Sequence, residues 1–112
     1  MPRAYVPDRG DAVWLSFDLQ AGHEQAGRRP FVVLSPAAYN GKVGLMLLCP
    51  ITNQIKGYPF EVAIPQGLKV TGAILSDQAK SLDLRARRAE LICRLPESIV
   101  NAVLKKLSTL LS

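Results

Sequence analysis

The chain has 112 residues, 48% of them hydrophobic and 21% charged, which suits a single globular domain over residues 1–112 and excludes a disordered tail. No apolar run reaches membrane-spanning length, and the opening Met1-Pro2-Arg3-Ala4-Tyr5-Val6-Pro7-Asp8 lacks the apolar stretch of a secretion signal, so the expected compartment is the cytoplasm. A net charge of +5 and a pI near 9.6 make a polyanion the leading partner without proving one.

In chain order, residues 12–17 (Ala-Val-Trp-Leu-Ser-Phe) read as the first strand, with Trp14 assigned to the core. Residues 18–29 then form a long polar loop carrying His23, Glu24, Arg28 and Arg29. Loops of this length in a small domain are uncommon and are usually functional or disordered. Its cations and carboxylate have the composition of a phosphate-handling site, although polar residues also fill ordinary surface loops. Its two glycines and high polarity give it little to pack, so it is expected to be mobile.

The loop runs into a second strand at 31–35. Residues 35–41 read as a short helical turn closed by Asn40-Gly41, and further strands are expected at 43–49, 60–64, 73–76 and 90–94. After Pro96 the period changes. Ile99, Val100, Val103, Leu104, Leu107, Leu110 and Leu111 recur at helical spacing, with Pro96 and Glu97 suited to the first turn. Six short strands and one terminal amphipathic helix predict a β-rich (α+β) fold, a small twisted barrel or sandwich with the helix packed on it.

Cys49 and Cys93 each sit in an apolar run and read as buried reduced thiols. With one histidine they are too few for a metal site, so neither metal nor cofactor is expected. Between residues 80 and 94, Lys80, Arg85, Arg87, Arg88 and Arg94 face only Asp83 and Glu90. Such a run is by itself best read as a solvated strand edge or turn.

Polar clusters at strand ends are the places for chemistry. Besides the 18–29 loop these are 50–60, with Thr52, Asn53, Gln54, Lys56 and Tyr58, and 76–81, with Asp77, Gln78 and Lys80.

Together these blocks resemble the MazF/PemK/Kid family of toxins, in the branch holding MazF and ChpB. The similar blocks are Val6-Pro7-Asp8-Arg9-Gly10-Asp11, Glu24-Gln25-Ala26-Gly27 with Arg29-Pro30, Val32-Val33-Leu34-Ser35-Pro36, Lys56-Gly57-Tyr58-Pro59-Phe60-Glu61-Val62 and Asp77-Gln78-Ala79-Lys80-Ser81. They occur in order along roughly the first ninety residues, and the final helix is where that family has one.

The resemblance implies a homodimeric SH3-like β-barrel that cleaves single-stranded RNA without a metal. It also implies a cognate antitoxin whose acidic, disordered tail occupies the RNA groove. The reaction would be attack of a ribose 2′-OH on the adjacent phosphorus, leaving a 2′,3′-cyclic phosphate and a 5′-OH. The family's catalytic Glu, Arg and Thr fall on Glu24, Arg29 and Thr52.

Such attack needs a proton acceptor, charge stabilisation at the phosphoryl oxygens and a proton for the leaving oxygen. Glu24 is the candidate base, or else a salt-bridge partner that orients Arg28 or Arg29. Arg29 suits phosphate binding better than general-acid work, because a guanidinium gives up a proton with difficulty at neutral pH. Thr52 would donate a hydrogen bond to a phosphoryl oxygen, or merely satisfy backbone. His23 ranks as a peripheral contact. Arg28, Asn40, Asn53, Gln54, Lys56, Asp77, Gln78 and Lys80 are expected RNA contacts, with lysines on phosphates and amides and Asp on base edges. Tyr58 could stack a base or face the core.

Two other classes stay open: a non-catalytic RNA-binding barrel and a gyrase poison of the CcdB type. The second is weakened because this chain ends Leu110-Leu111-Ser112 rather than Trp-Gly-Ile.

Overall fold

A computed structural model describes residues 5–17 and 27–112. The apolar runs become β1 (Asp11–Phe17), β2 (Gly27–Val33), α1 (Ala37–Val43), β3 (Leu45–Thr52), β4 (Glu61–Ala63), β5 (Ala73–Leu75), β6 (Lys80–Asp83), β7 (Glu90–Arg94) and α2 (Glu97–Ser108). The strands pair antiparallel in the order β4-β5-β3-β2-β1-β7, with β6 also on β3, and the sheet curls into a half-barrel. The expected β-rich fold with its C-terminal helix therefore stands, with one strand more than the six expected.

Strand β3 organises the sheet. One edge pairs with β2 through Leu48, Cys49 and Pro50. The other edge takes β6 along Leu45–Leu48 and then β5 at Ile51 and Thr52. The turn joining β5 to β6, residues 76–79, thus hangs where β3 changes partners, beside Cys49 and Pro50.

Both faces of the sheet are covered, which is why its strands read as nearly continuous apolar runs. Side chains alternate across a strand, and here each set has its own core. Ala12, Val32, Leu34, Cys49, Ile51 and Ile74 pack with Val100 and Val103 of α2. Val13, Leu15, Phe31, Val33, Met46, Leu48 and Leu84 fill the inner curve. Helix α2 begins at an extended Pro96, carries Glu97 in its first turn and Lys105 and Lys106 in its last. Each charge complements the near end of the helix dipole.

Several expectations are corrected. Strand β6 was not anticipated: Lys80, Ser81 and Asp83 are exposed and carry no apolar alternation, so only pairing with β3 makes the segment a strand. Strand β2 starts at Gly27, so Arg28 and Arg29 belong to a strand and not to the loop. Helix α1 runs through Asn40-Gly41 and ends at Gly44, whose left-handed backbone (φ 83°) closes it. Cys49 is buried but Cys93 is only half-buried, and both are free. Trp14 is half-buried, with the Arg28 guanidinium 5.2 Å above its ring, rather than in the core.

Asn40, expected to contact RNA, is fully buried. Its Nδ2 donates to the Pro7 carbonyl at 2.8 Å and the Ser35 carbonyl at 3.0 Å, and its Oδ1 accepts the Ser35 hydroxyl at 2.6 Å. It bolts α1 to the strand before it and has no surface to offer a ligand. Asp8 supports the same helix from outside: its Oδ1 accepts the Ala37 and Arg9 amides, and the Ala37 bond foremost holds its carboxyl below the ordinary 3.8.

Candidate functional site

Strand alternation sorts the two neighbouring arginines of β2. Arg28 lies on the face of Trp14 and Glu90, where its guanidinium pairs with the Glu90 carboxylate and stacks on the indole. Arg28, expected as an RNA contact beside Arg29, thus faces away from it, since adjacent strand residues point to opposite faces. Arg29 shares the inner-curve face with Phe31 and Phe17.

The β2–β3 register explains what Arg29 meets. Phe31 pairs with Pro50, the last pair of the two strands, and the same register carried two residues further would set Arg29 opposite Thr52. Both side chains point to the same face, just past the end of the inner core. Pro30 has no N–H to give a ladder bond, and the β2–β3 pairing ends beside it at Phe31 and Pro50.

Two hollows meet there. One, of about 360 Å³, is lined by Phe17, Arg29, Pro30, Phe31, Pro50, Ile51, Gln78 and Lys80. The other, of about 240 Å³, is lined by Thr52, Gln54, Lys56, Tyr58, Glu61, Leu75 and Gln78. Gln78 lines both, so the two hollows adjoin at its side chain and together make a groove. Of the expected site residues, Arg29, Thr52, Gln54, Lys56, Gln78 and Lys80 line it. Asn53, whose Oδ1 accepts the Thr71 hydroxyl at 3.0 Å, and Asp77 are not among its lining residues. Glu24 and His23 lie outside the described residues, as does the part of the polar loop from 18 to 26.

The loop between β3 and β4 is held from within the groove. The Glu61 carboxylate accepts the Lys56 amide at 3.0 Å and the Gly57 amide at 3.1 Å. Tyr58, 42% exposed, faces the groove rather than the core and donates its hydroxyl to Asp77 Oδ2 at 2.5 Å. That bond, foremost, raises the Tyr58 phenol above its ordinary value. Asp77 Oδ1 is buried without a hydrogen-bond partner among the described residues. Thr52 Oγ1 accepts the Gln54 amide at 3.0 Å. A hydroxyl that accepts still has its proton to donate. Cys49, on the far face of β3, is no nucleophile: burial first, then the Asp77 charge, pushes its thiol up to about 11.

The groove thus offers the cations of Arg29, Lys56 and Lys80, a hydroxyl donor, amide side chains and the aromatic rings of Phe17 and Tyr58. That set matches single-stranded nucleic acid, whose phosphates need cations and whose bases stack on rings. Phe17 and Glu61 were missed from sequence. Phe17 had a signal, an aromatic closing a strand immediately before the polar loop. Glu61 had none beyond its place in the similar block.

Comparison with known proteins agrees. Residues 8–111 match the family model described as PemK-like, MazF-like toxin of type II toxin-antitoxin system. The endoribonuclease toxin MazF of Escherichia coli K12 is 54% identical over 89 residues, which are 80% of this chain and 79% of that one. The endoribonuclease PemK of E. coli is 38% identical over 109 residues, 94% and 82% of the two chains. A MazE-MazF crystal structure from Deinococcus radiodurans superposes with a TM-score of 0.91 at 57% identity, covering 96% of each chain. This chain belongs to the PemK-like, MazF-like family of toxins of type II toxin–antitoxin systems.

Proposed function

We propose that this chain, an endoribonuclease toxin of the MazF type, cuts single-stranded RNA in the groove between Arg29 and Thr52. The observation that carries the reading is that Arg29 lines one hollow and Thr52 the next, the two adjoining at Gln78, just past the last β2–β3 pair at Phe31 and Pro50. The Arg29 guanidinium grips the scissile phosphate in a fork and stabilises charge as the phosphorus becomes five-coordinate. Thr52 donates its hydroxyl proton to a phosphoryl oxygen. Glu24, assigned from sequence, takes the proton of the 2′-OH. The 2′-oxygen bonds to phosphorus, the 5′-oxygen leaves and takes a proton from water, and the products are a 2′,3′-cyclic phosphate and a 5′-OH. Arg29 supplies the positive charge, so the scheme needs no metal.

Around the cut, Lys56 and Lys80 hold flanking phosphates, while Gln54 and Gln78 face base edges; Asp77 holds the Tyr58 hydroxyl and so sets the ring that Tyr58 offers for stacking. An acidic antitoxin tail suits the same cationic groove. No described helix is long and apolar enough to cross a membrane, and the proposed place of action is the cytoplasm. Purified protein incubated with mixed-sequence messenger RNA in EDTA should yield discrete fragments with cyclic 3′ and hydroxyl 5′ ends. Intact RNA across varied substrates would sink the reading.

The protein acts as a homodimer in this reading. A hollow of about 730 Å³ between α1, β3 and the end of α2 exposes Tyr39, Leu47 and Leu111, with the half-buried Leu107 among them. Exposed apolar patches of this kind mark interfaces, and a second copy is the occupant assigned here. Leu47→Asp, on a residue 38% exposed, should convert a sedimenting dimer to a monomer; an unchanged dimer places the interface elsewhere.

A further inference from the structure

The arginines between β6 and β7 lie outside the groove but are tied to its edge through Phe17. The turn is tightly bonded: Asp83 Oδ1 accepts the Arg85 and Ala86 amides, each at 2.8 Å. The Arg87 amide reaches the Asp83 carbonyl, Arg88 that of Arg85 and Ala89 that of Leu84, each at 3.1 Å. Leu84 anchors the turn in the inner core. The Ser16 amide donates to the Arg87 carbonyl at 2.7 Å, stapling the turn to β1.

This rigid turn displays three arginines in four residues, and Arg88 is held in left-handed backbone (φ 52°), which costs a non-glycine residue about 1 kcal/mol. Among the described residues none of the three forms an ion pair with a carboxylate. Asp83, the nearest acid, has its Oδ1 on backbone amides, which keep its carboxyl below the ordinary range. Among the described residues, the turn therefore holds repelling like charges that no carboxylate pairs.

Its position says which partner. The Arg87 guanidinium stacks 4.5 Å from the centre of the Phe17 ring, and Phe17 lines the groove beside Arg29 and Lys80. Lys80 begins β6 and Asp83 ends it, so the turn starts about 10 Å along the strand from the groove. Cations alternating with rings along one track are the mark of a path for single-stranded nucleic acid.

We propose that the Arg85–Arg88 turn is a second phosphate-binding element, which holds the RNA backbone flanking the cut and carries the RNA path past Phe17; this rests on the RNA-cleaving reading above. The guanidinium forks of Arg85 and Arg88, both exposed, take phosphates. Arg87 positions the turn on Phe17. The element contributes affinity without sequence preference.

The test uses Arg85→Ala/Arg88→Ala, which spares Arg87, with two substrates: a long messenger RNA cut by the protein, and its shortest fragment still cut. For the long RNA, KM should rise about tenfold with kcat and the cleavage motif unchanged. The slope of log(kcat/KM) against log salt should become shallower by roughly 1.4, at about 0.7 per lost phosphate contact. The short fragment should be cut as before, and Arg85→Lys/Arg88→Lys should recover most of the loss. Equal KM and slope for variant and unaltered protein on the long RNA would overturn the proposal. So would a variant that keeps its RNA affinity but loses affinity for polyglutamate, which would assign the turn to an acidic protein partner. If the unaltered protein neither binds nor cuts RNA, both readings fall; if it does and the variant matches it, only the turn does.

Discussion

Arg29→Ala should lower the rate of RNA cleavage by about a hundred- to a thousandfold while leaving the fold intact. That is the usual loss when one group stabilising a developing oxyanion is removed, about 3–4 kcal/mol of barrier. The fold should survive because Arg29 is exposed on the face of β2 beyond the inner core, where Phe31 is the last buried residue. Surface changes of that kind usually stay within about 0.5 kcal/mol. Arg29→Lys should recover little, since an ammonium keeps the charge but loses the planar fork that meets two phosphate oxygens at once. Single-turnover cleavage, with urea unfolding of the same samples, separates the two effects. If Arg29→Ala cleaves normally, the site is misassigned even though the family is not in doubt.

Gly72→Ala should be the most damaging small substitution next to the site, costing about 3 kcal/mol or more. Gly72 sits at φ 115°, a conformation that side chains rarely adopt. A Cβ there would stand 2.2 Å from the Thr52 carbonyl oxygen and 2.9 Å from Asn53 Oδ1. The first clash is with backbone, so no rotamer relieves it. It would push apart the strands exactly paired there, β5 and β3 at Ala73 and Thr52, and move the Thr52 hydroxyl with them. Any folded fraction should therefore also cleave slowly. Gly57→Ala is the control: its φ is also positive, at 73°, but a Cβ would meet nothing within 4 Å. It should cost about 1 kcal/mol, from backbone strain alone. Equal stability of Gly72→Ala and Gly57→Ala in urea would show that the close approach to Thr52 does not exist.

Which parts of this molecule were legible in advance follows from where the information resides. The strands holding Val13, Val32, Leu48 and Ile74 were readable because each is buried on both faces and so stands out as an apolar run between turn formers. Helix α2 was readable because Val100 and Val103 recur at its own period. Strand β6 was not: three of its four residues face solvent, and its conformation comes from β3.

The same division holds for the site. Residue order alone placed Arg29, Thr52, Gln54, Lys56, Gln78 and Lys80 in three polar clusters, and the blocks around them identified the family. What sequence could not separate were neighbours of the same chemistry. Arg28 and Arg29 are alike as residues, but strand alternation sends one to Glu90 and Trp14 and the other to the groove. Asn40 and Gln78 are both amides. Asn40 is consumed by the Pro7 and Ser35 carbonyls, while Gln78 hangs from a turn where β3 exchanges β6 for β5. The sequence by itself determined the elements with their own periodicity, the family and the inventory of polar groups, because local pattern and residue type carry these. Only the tertiary structure decided which polar groups face a ligand, because facing depends on register, pleat and the partners that long-range pairing brings near.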